Sequence, residues 1–448
     1  MKKPVWYNVH GKELPVPSFF MIYNIGGGGG DRTRSVVYMD LYNDNILNIR
    51  IPQLYNYYYL NLMATPSFDA STIRHLPEYD NFADFIKYMR ETLINEKHYY
   101  SEKHVPKNVD YSKIVYLLDS GAKNILDDIV EGKLNRTNKQ TVIDRFVEEM
   151  KHYYDFANRH KFDIVISFDT GGKYTFKNNE RMNEDLIEFD KFLNQHKQSI
   201  NLFLLEEAIK YIKTKNEYYP YILATIHGST PKEYKEYAEQ VIKLESKYGF
   251  KFWGFALGGI ASSKGMDPSW FVGYSKSLGI SKNTYLSSKA TKIVHSVVGE
   301  RPIHPLGAGG YDSIDSLYKS GATSFDSNTP NRRASDGDGN IDIASQVMNT
   351  FAGGSFSKYL IGKKDSKLRD INPELEQAYL KINKLLRTII LCGCPACSDI
   401  YSVDDIKKLY AGGETNKEDF FLAKQLMCSH STWQHIYSCM KYWYDWEE

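Results

Sequence analysis

The sequence predicts an α/β fold: a closed (β/α)8 barrel with a C-terminal zinc-binding lobe. Three observations point there. Short apolar runs alternate with helical patterns along most of the chain. Each run ends in a small or acidic residue followed by a turn. The alternation stops after residue 345, and the cysteines begin beyond it. The 448 residues exceed one ordinary small domain and suit a large barrel, residues 1–345, with an appended helical lobe, residues 346–448.

The runs come in order. Residues 114–118 lead into Asp119-Ser120-Gly121, and 163–168 into Asp169-Thr170-Gly171-Gly172. Residues 221–226 lead into His227-Gly228-Ser229, and 252–257 into Gly258-Gly259. Residues 303–306 lead into Gly307-Ala308-Gly309-Gly310, and 322–325 into Asp326-Ser327. Between them, 232–248 carries apolar residues at helical spacing (Tyr237, Val241, Ile242, Leu244), and 313–320 is a second helix with Asp312 as its expected N-cap. Strands alternating with helices imply a parallel sheet. A series of this length favours closure, although a doubly wound open sheet fits the same alternation. In such barrels the C-terminal strand ends carry the chemistry, and here they carry Asp119, Asp169, His227 and Asp326.

Past residue 345 the pattern changes. Residues 373–390 read as a helix and 417–444 as a last helical stretch. The glycine run 26–30 is the one low-complexity segment. No Lys-Ser/Thr follows it, so it is no P-loop and reads as a surface loop, with Asp31, Arg32 and Arg34 beside it.

Apolar residues make up 42%, enough for a sizeable core, so global disorder is excluded. The net charge of +1 favours no polyanionic partner in bulk, so any nucleic-acid site is a local patch. The N-terminus leads into no apolar secretory region and no run reaches the length of a membrane span. The expectation is a cytoplasmic protein with no membrane partner.

All five cysteines fall in the last 60 or so residues, an odd clustered set that reads as a metal site in a reducing compartment. Cys392-x-Cys394-x2-Cys397 supplies three thiolates in one tight turn, and a fourth ligand completes a zinc tetrahedron. His430, Cys428, His435 and Cys439 are candidates. With no open coordination position evident, the zinc is expected to be structural.

Four segments resemble, in order, those of the tRNA-guanine transglycosylase superfamily. Asp119-Ser120-Gly121-Ala122-Lys123-Asn124 looks like the family's Asp-Ser-Gly-Gly-Phe-Gln. Residues 254–261, Gly-Phe-Ala-Leu-Gly-Gly-Ile-Ala, are similar to its Gly-Tyr-Ala-Ile-Gly-Gly-Leu-Ala. Residues 325–332, Phe-Asp-Ser-Asn-Thr-Pro-Asn-Arg, resemble its Phe-Asp-Cys-Val-Leu-Pro-Thr-Arg. The Cys-x-Cys-x2-Cys set with His430 matches its zinc site, with a longer gap before the histidine. The resemblance implies a TIM barrel, with Asp326 as nucleophile, Asp119 as general acid/base, Asp169 as purine-binding residue, and Gly258 and Gly259 lining the base pocket. It also implies zinc on Cys392, Cys394, Cys397 and His430. Ser120, His227, Gly228 and Arg332 join the expected substrate contacts.

The departures are specific. Ala122, Lys123 and Asn124 replace Gly-Phe-Gln, His227 stands where the family carries a glutamine, Ser229 stands where a glycine is usual, and the first hundred residues match poorly. They suggest a paralogue, most like the phage and bacterial enzymes that place 7-deazaguanines in DNA. DNA and a 7-deazaguanine base are therefore the expected partners, with tRNA as the alternative and a homodimer or helper protein left open.

The chemistry suits these residue types. Exchanging a base breaks an N-glycosidic bond and remakes it. One carboxylate attacks C1′ and a second group protonates the leaving base, the two-carboxylate logic of retaining glycosidases. A third, Asp169, accepts from N1–H and the 2-amino group of guanine, a donor pair adenine lacks. Backbone at Gly258-Gly259 approaches the base closely because no Cβ intervenes. The target nucleotide leaves its stack to reach the site, and Tyr311, Phe255 or Trp253 offer stacking faces. Arg332 and Arg333 suit a phosphate or a solvated turn, and the basic residues of 363–369 a solvated face. His227 is either pocket lining or a satisfied core histidine. The rival readings are a tRNA transglycosylase, a non-catalytic transglycosylase-like subunit, and an unrelated barrel hydrolase or aldolase.

Overall fold

The computed structural model describes residues 6–25, 61–66, 80–84, 87, 114–120, 138–170, 184–327, 329, 435–436, 438–439 and 441–443. Its first two strands, β1 (Trp6–Val9) and β2 (Lys12–Pro15), pair antiparallel as a hairpin. The turn has His10 at φ 52° and Gly11 at φ 82°, the left-handed pair that matches a two-residue hairpin to the twist of its strands. Holding a histidine there costs backbone energy, and its ring is sandwiched between Tyr219 and Tyr221 at 4.0 and 4.2 Å.

Eight further strands make one parallel sheet: β3 (Ser18–Ile25), β4 (Asn61–Pro66), β5 (Val115–Leu118), β6 (Ile164–Ile166), β7 (Tyr221–Ile226), β8 (Gly254–Leu257), β9 (Ile303–Pro305) and β10 (Ser324–Ser327). Their spatial order is β10-β3-β4-β5-β6-β7-β8-β9. Side chains alternate between two cores, as strand geometry requires. Val115, Leu117, Ile164, Ile166, Leu223 and Ala256 share one core with Val9 and Leu14 of the hairpin. Tyr116, Leu118, Val165, Ile222, Ala224 and Phe255 pack in the other, against the helices. Burial on both faces explains why these strands read as unbroken apolar runs.

The helices form where caps and periodicity agree. In α1 (Lys139–Arg159) the Asn138 side chain accepts from the Gln140 and Thr141 amides, and Val142, Phe146, Met150, Tyr153 and Tyr154 form the buried stripe. Next is α2 (Glu184–Lys213). In α3 (Pro231–Tyr248) Thr230 caps the Glu233 amide at 3.2 Å, Pro231 occupies the first turn, and Gly249 ends the helix at φ 55°. Ser281 caps α4 (Lys282–Val298). The helix expected at 313–320 is α5 (Ile314–Lys319); its N-cap position is Ser313 rather than Asp312, with no side-chain cap bond.

The closed TIM barrel with a zinc-bearing lobe is corrected on two counts. Strands β5 to β9, consecutive in sequence, form a five-stranded parallel half-barrel that β4, β3 and β10 continue along one edge. Among the described residues no strand ladder joins β9 to β10. The physical reason lies in β9, which is three residues long and bounded by Pro302 and Pro305, neither of which carries an N–H. The Ile303 N–H goes to the Thr323 hydroxyl at 3.0 Å, and a single backbone bond, Thr323 N to Ile303 O at 2.8 Å, reaches across. Secondly, no group of three or more His, Cys, Asp or Glu side chains able to hold a metal is present among the described residues. The zinc ligands expected from sequence, Cys392, Cys394, Cys397 and His430, lie outside them, as does Cys428. Of the other two candidates, Cys439 is a buried free thiol and His435 packs its ring on Phe19.

The described residues near the C-terminus dock on the sheet. The Trp443 indole donates to the Pro17 carbonyl at 2.8 Å, and Tyr442 lies against Tyr318 and bonds Asp315. Among the described residues no helix is long and apolar enough to cross a membrane.

Candidate functional site

Because the sheet is parallel, one end collects every strand's C-terminus. Asp119 follows β5, Asp169 lies just past β6, His227 and Gly228 follow β7, Gly258 and Gly259 follow β8, and Asp326 lies within β10. The neighbouring strands order these residues around one rim. They fall into two groups, each built on a buried aspartate and a histidine.

Asp326 is buried. Its Oδ1 meets His304 Nε2 at 3.1 Å and receives the Gly307 amide at 2.7 Å. His304 Nδ1 lies 2.9 Å from the Ser324 hydroxyl. With the proton on Nε2, the chain runs from Ser324 O–H to His304 to Asp326, and it fixes both ring and carboxylate. No hydrogen bond engages Oδ2 among the described residues. The Gly309 amide donates to the Asp326 carbonyl at 3.0 Å, so the loop after β9 is tied to β10. Sequence reading passed over His304: one histidine inside Ile-His-Pro forms no motif, and only the alignment of β9 beside β10 gives it meaning.

The second group joins β6 to β7. His227 Nε2 lies 2.6 Å from Asp169 Oδ2, both side chains buried. A carboxylate acceptor assigns the proton to Nε2, so Nδ1 carries a bare lone pair. That atom is buried without a hydrogen-bond partner among the described residues. Burial, then the nearby Lys197 charge, hold the imidazole below its ordinary pKa, against the pull of Asp169. Gly258 is required here. A Cβ on it would sit 2.2 Å from His227 Cε1 and 2.6 Å from Nδ1. The Tyr234 hydroxyl donates to the Gly258 carbonyl at 3.0 Å, and Gln198 donates to the His227 carbonyl at 3.1 Å.

Asp119 is half-buried, and its Oδ1 accepts the amide of buried Ser120 at 2.8 Å. Beneath it, the Tyr153 hydroxyl sits within hydrogen-bond distance of both the Leu118 and Ile166 carbonyls, bracing β5 against β6. Arg332 lies outside the described residues.

Beside the second group is a cavity of about 580 Å³ between α2 and the loops after β7 and β8. Lys197, His227, Gly228, Gly258 and Gly259 line it. Its size is that of a small-molecule site. Burial brings Lys197 down to about 8, with Asp169 acting in the opposite sense. The arrangement can hold a planar polar ring against backbone at Gly258-Gly259, and it offers a buried carboxylate, Asp326, with one oxygen fixed. No family model and no curated protein matches this chain.

Proposed function

We propose that the chain is a base-exchange pentosyltransferase of the tRNA-guanine transglycosylase superfamily, replacing guanine in DNA with a 7-deazaguanine. The observation that carries this reading is the Asp326 carboxylate: Oδ1 held by His304 and the Gly307 amide, Oδ2 without a hydrogen bond among the described residues. A nucleophile needs this asymmetry, one oxygen to set the orientation and the other to attack. Asp326 Oδ2 attacks C1′ and the C1′–N9 bond breaks with its electron pair leaving on guanine, which Asp119 protonates. The incoming base gives its N9 proton to Asp119 and attacks C1′, and the carboxylate of Asp326 leaves. The reading requires only that the strand ends share one rim.

One refinement concerns Asp169. With Oδ2 engaged by His227, the pair acts as a unit, so the purine meets a carboxylate whose orientation the histidine sets. A structural zinc on Cys392, Cys394, Cys397 and His430 belongs to the same proposal; metal analysis of the purified protein should find about one zinc per chain, unchanged by substrate.

The test is base exchange. The protein is incubated with 7-cyano-7-deazaguanine and duplex DNA or, separately, bulk tRNA, and the digested nucleosides are read by mass spectrometry. A deazaguanine deoxynucleoside from DNA, lost in Asp326→Ala, is the expected result. A modified ribonucleoside from tRNA alone would move the activity to tRNA, and silence on both would remove the catalytic reading.

A further inference from the structure

The cavity beside His227 holds an unanswered charge. Its two carboxylates are occupied by local backbone: Glu233 accepts the Ser229 amide at 2.8 Å, and Asp267 accepts the Ser269 amide at 2.8 Å. Asp169 is tied to His227. Lys197 projects from α2 into this space, half-buried, with neither hydrogen bond nor ion pair among the described residues. An ammonium taken from water without a counter-ion is costly, and the protein meets that cost unless a ligand supplies the anion. A second orphan lies beside it, the buried His227 Nδ1. Two unsatisfied polar groups on one cavity wall, opposite the Gly258-Gly259 backbone, mark a site built around an absent ligand.

We propose that Lys197 is a specificity-determining residue, selecting as the incoming base a 7-deazapurine with an anionic substituent, a carboxylate at C7. This rests on the transglycosylase reading and names its substrate class. The ligand's ring lies against Gly258-Gly259, where no side chain intervenes, and its carboxylate meets the Lys197 ammonium in a charge-assisted hydrogen bond. The charged groups facing Lys197 are Asp169 and His227 from the strand ends, Glu233 from α3 and Asp267 from the loop after β8. None supplies the missing anion, because each carboxylate already serves another donor. The depressed lysine supports this, since a bound carboxylate restores the charged form that burial disfavours.

The experiment is equilibrium binding to the full chain of three 7-deazaguanines differing only at C7: carboxylate, nitrile and aminomethyl. The proteins are wild type, Lys197→Met and Lys197→Arg, with thermal melts to show that the variants fold. At about pH 7 the carboxylate should bind wild type at least about tenfold more tightly than the aminomethyl base. The preference should vanish in Lys197→Met and persist in Lys197→Arg. At about pH 9.5 it should shrink in wild type, whose lysine is then neutral, and not in the arginine variant. Equal binding of the three bases, or a preference surviving in Lys197→Met, overturns the proposal while leaving the transglycosylase reading intact. Loss of salt-dependent DNA binding in Lys197→Met with the base ranking unchanged makes the lysine a phosphate contact and also overturns it. No binding of any deazaguanine removes both readings together.

Discussion

The two ends of the sheet solve the same electrostatic problem in opposite ways. At the N-terminal end Asp163 is fully buried, and every partner is in place. Lys12 reaches it from the hairpin at 2.7 Å, the Tyr116 amide at 2.7 Å and the Tyr219 hydroxyl at 3.1 Å. The same ammonium also donates to the Ile114 carbonyl at 2.7 Å. At the C-terminal end Asp326 and Asp169 are just as buried, yet their histidine partners leave an oxygen or a ring nitrogen without a bond. A saturated buried pair fastens the hairpin to the sheet. An unsaturated one costs stability and holds a group ready for a ligand. One end is built to stay shut and the other to be completed.

Substitutions can break or sharpen this contrast. The largest effect is expected from Asp326→Asn, which should lower base exchange by on the order of 10³-fold or more while barely moving the urea midpoint. A large loss of stability would class Asp326 with Asp163. Asp163→Ala should do the reverse, costing about 3–5 kcal/mol in urea unfolding because Lys12 is left buried and unpaired. Joining it to Lys12→Met should recover part of that loss, and no recovery would show that the pair is not the unit. Gly258→Ala drives a methyl into the His227 ring, so a loss of about 1–3 kcal/mol is expected, with base binding weakened. A neutral result would mean the loop moves freely.

The smallest effect is a pH dependence. His227 sits below its ordinary value of 6.5, so the unfolded chain takes the proton more readily than the folded one. The contribution is therefore fully present above about 6.5 and is lost as pH falls below it. Urea midpoints from about pH 7.5 down to about pH 5 should fall more in wild type than in His227→Gln. Parallel curves would show that the ring is not held neutral.

Much of the sheet was legible because its strands are buried on both faces and end at turns. The runs at 114–118, 221–226 and 303–306 coincide with β5, β7 and β9 to within a residue at most ends. The hairpin and β3 were not, because Tyr, Asn and Lys blur the apolar pattern there and the resemblance fades. Closure was overread. Alternation counts strands, but whether the last edges pair depends on N–H groups, and Pro302 and Pro305 remove them. At the site, acidic residues before a turn announced Asp119, Asp169 and Asp326 as strand-end groups. His304 and Lys197 carried no such signal. One matters through the strand beside it and the other through the cavity its helix borders, and neither neighbour is near in sequence.

The pairing of β10 with β3 sets Ser324 beside Ser18 and Asp326 beside Phe20. On a ribosome adding roughly 5–20 residues each second, β3 therefore emerges some tens of seconds before its neighbour exists. In that interval one side of β3 is an exposed template for any passing chain. Expression should thus depend strongly on chaperone supply and growth temperature, and the strand carrying Asp326 is among the last pieces to reach the sheet.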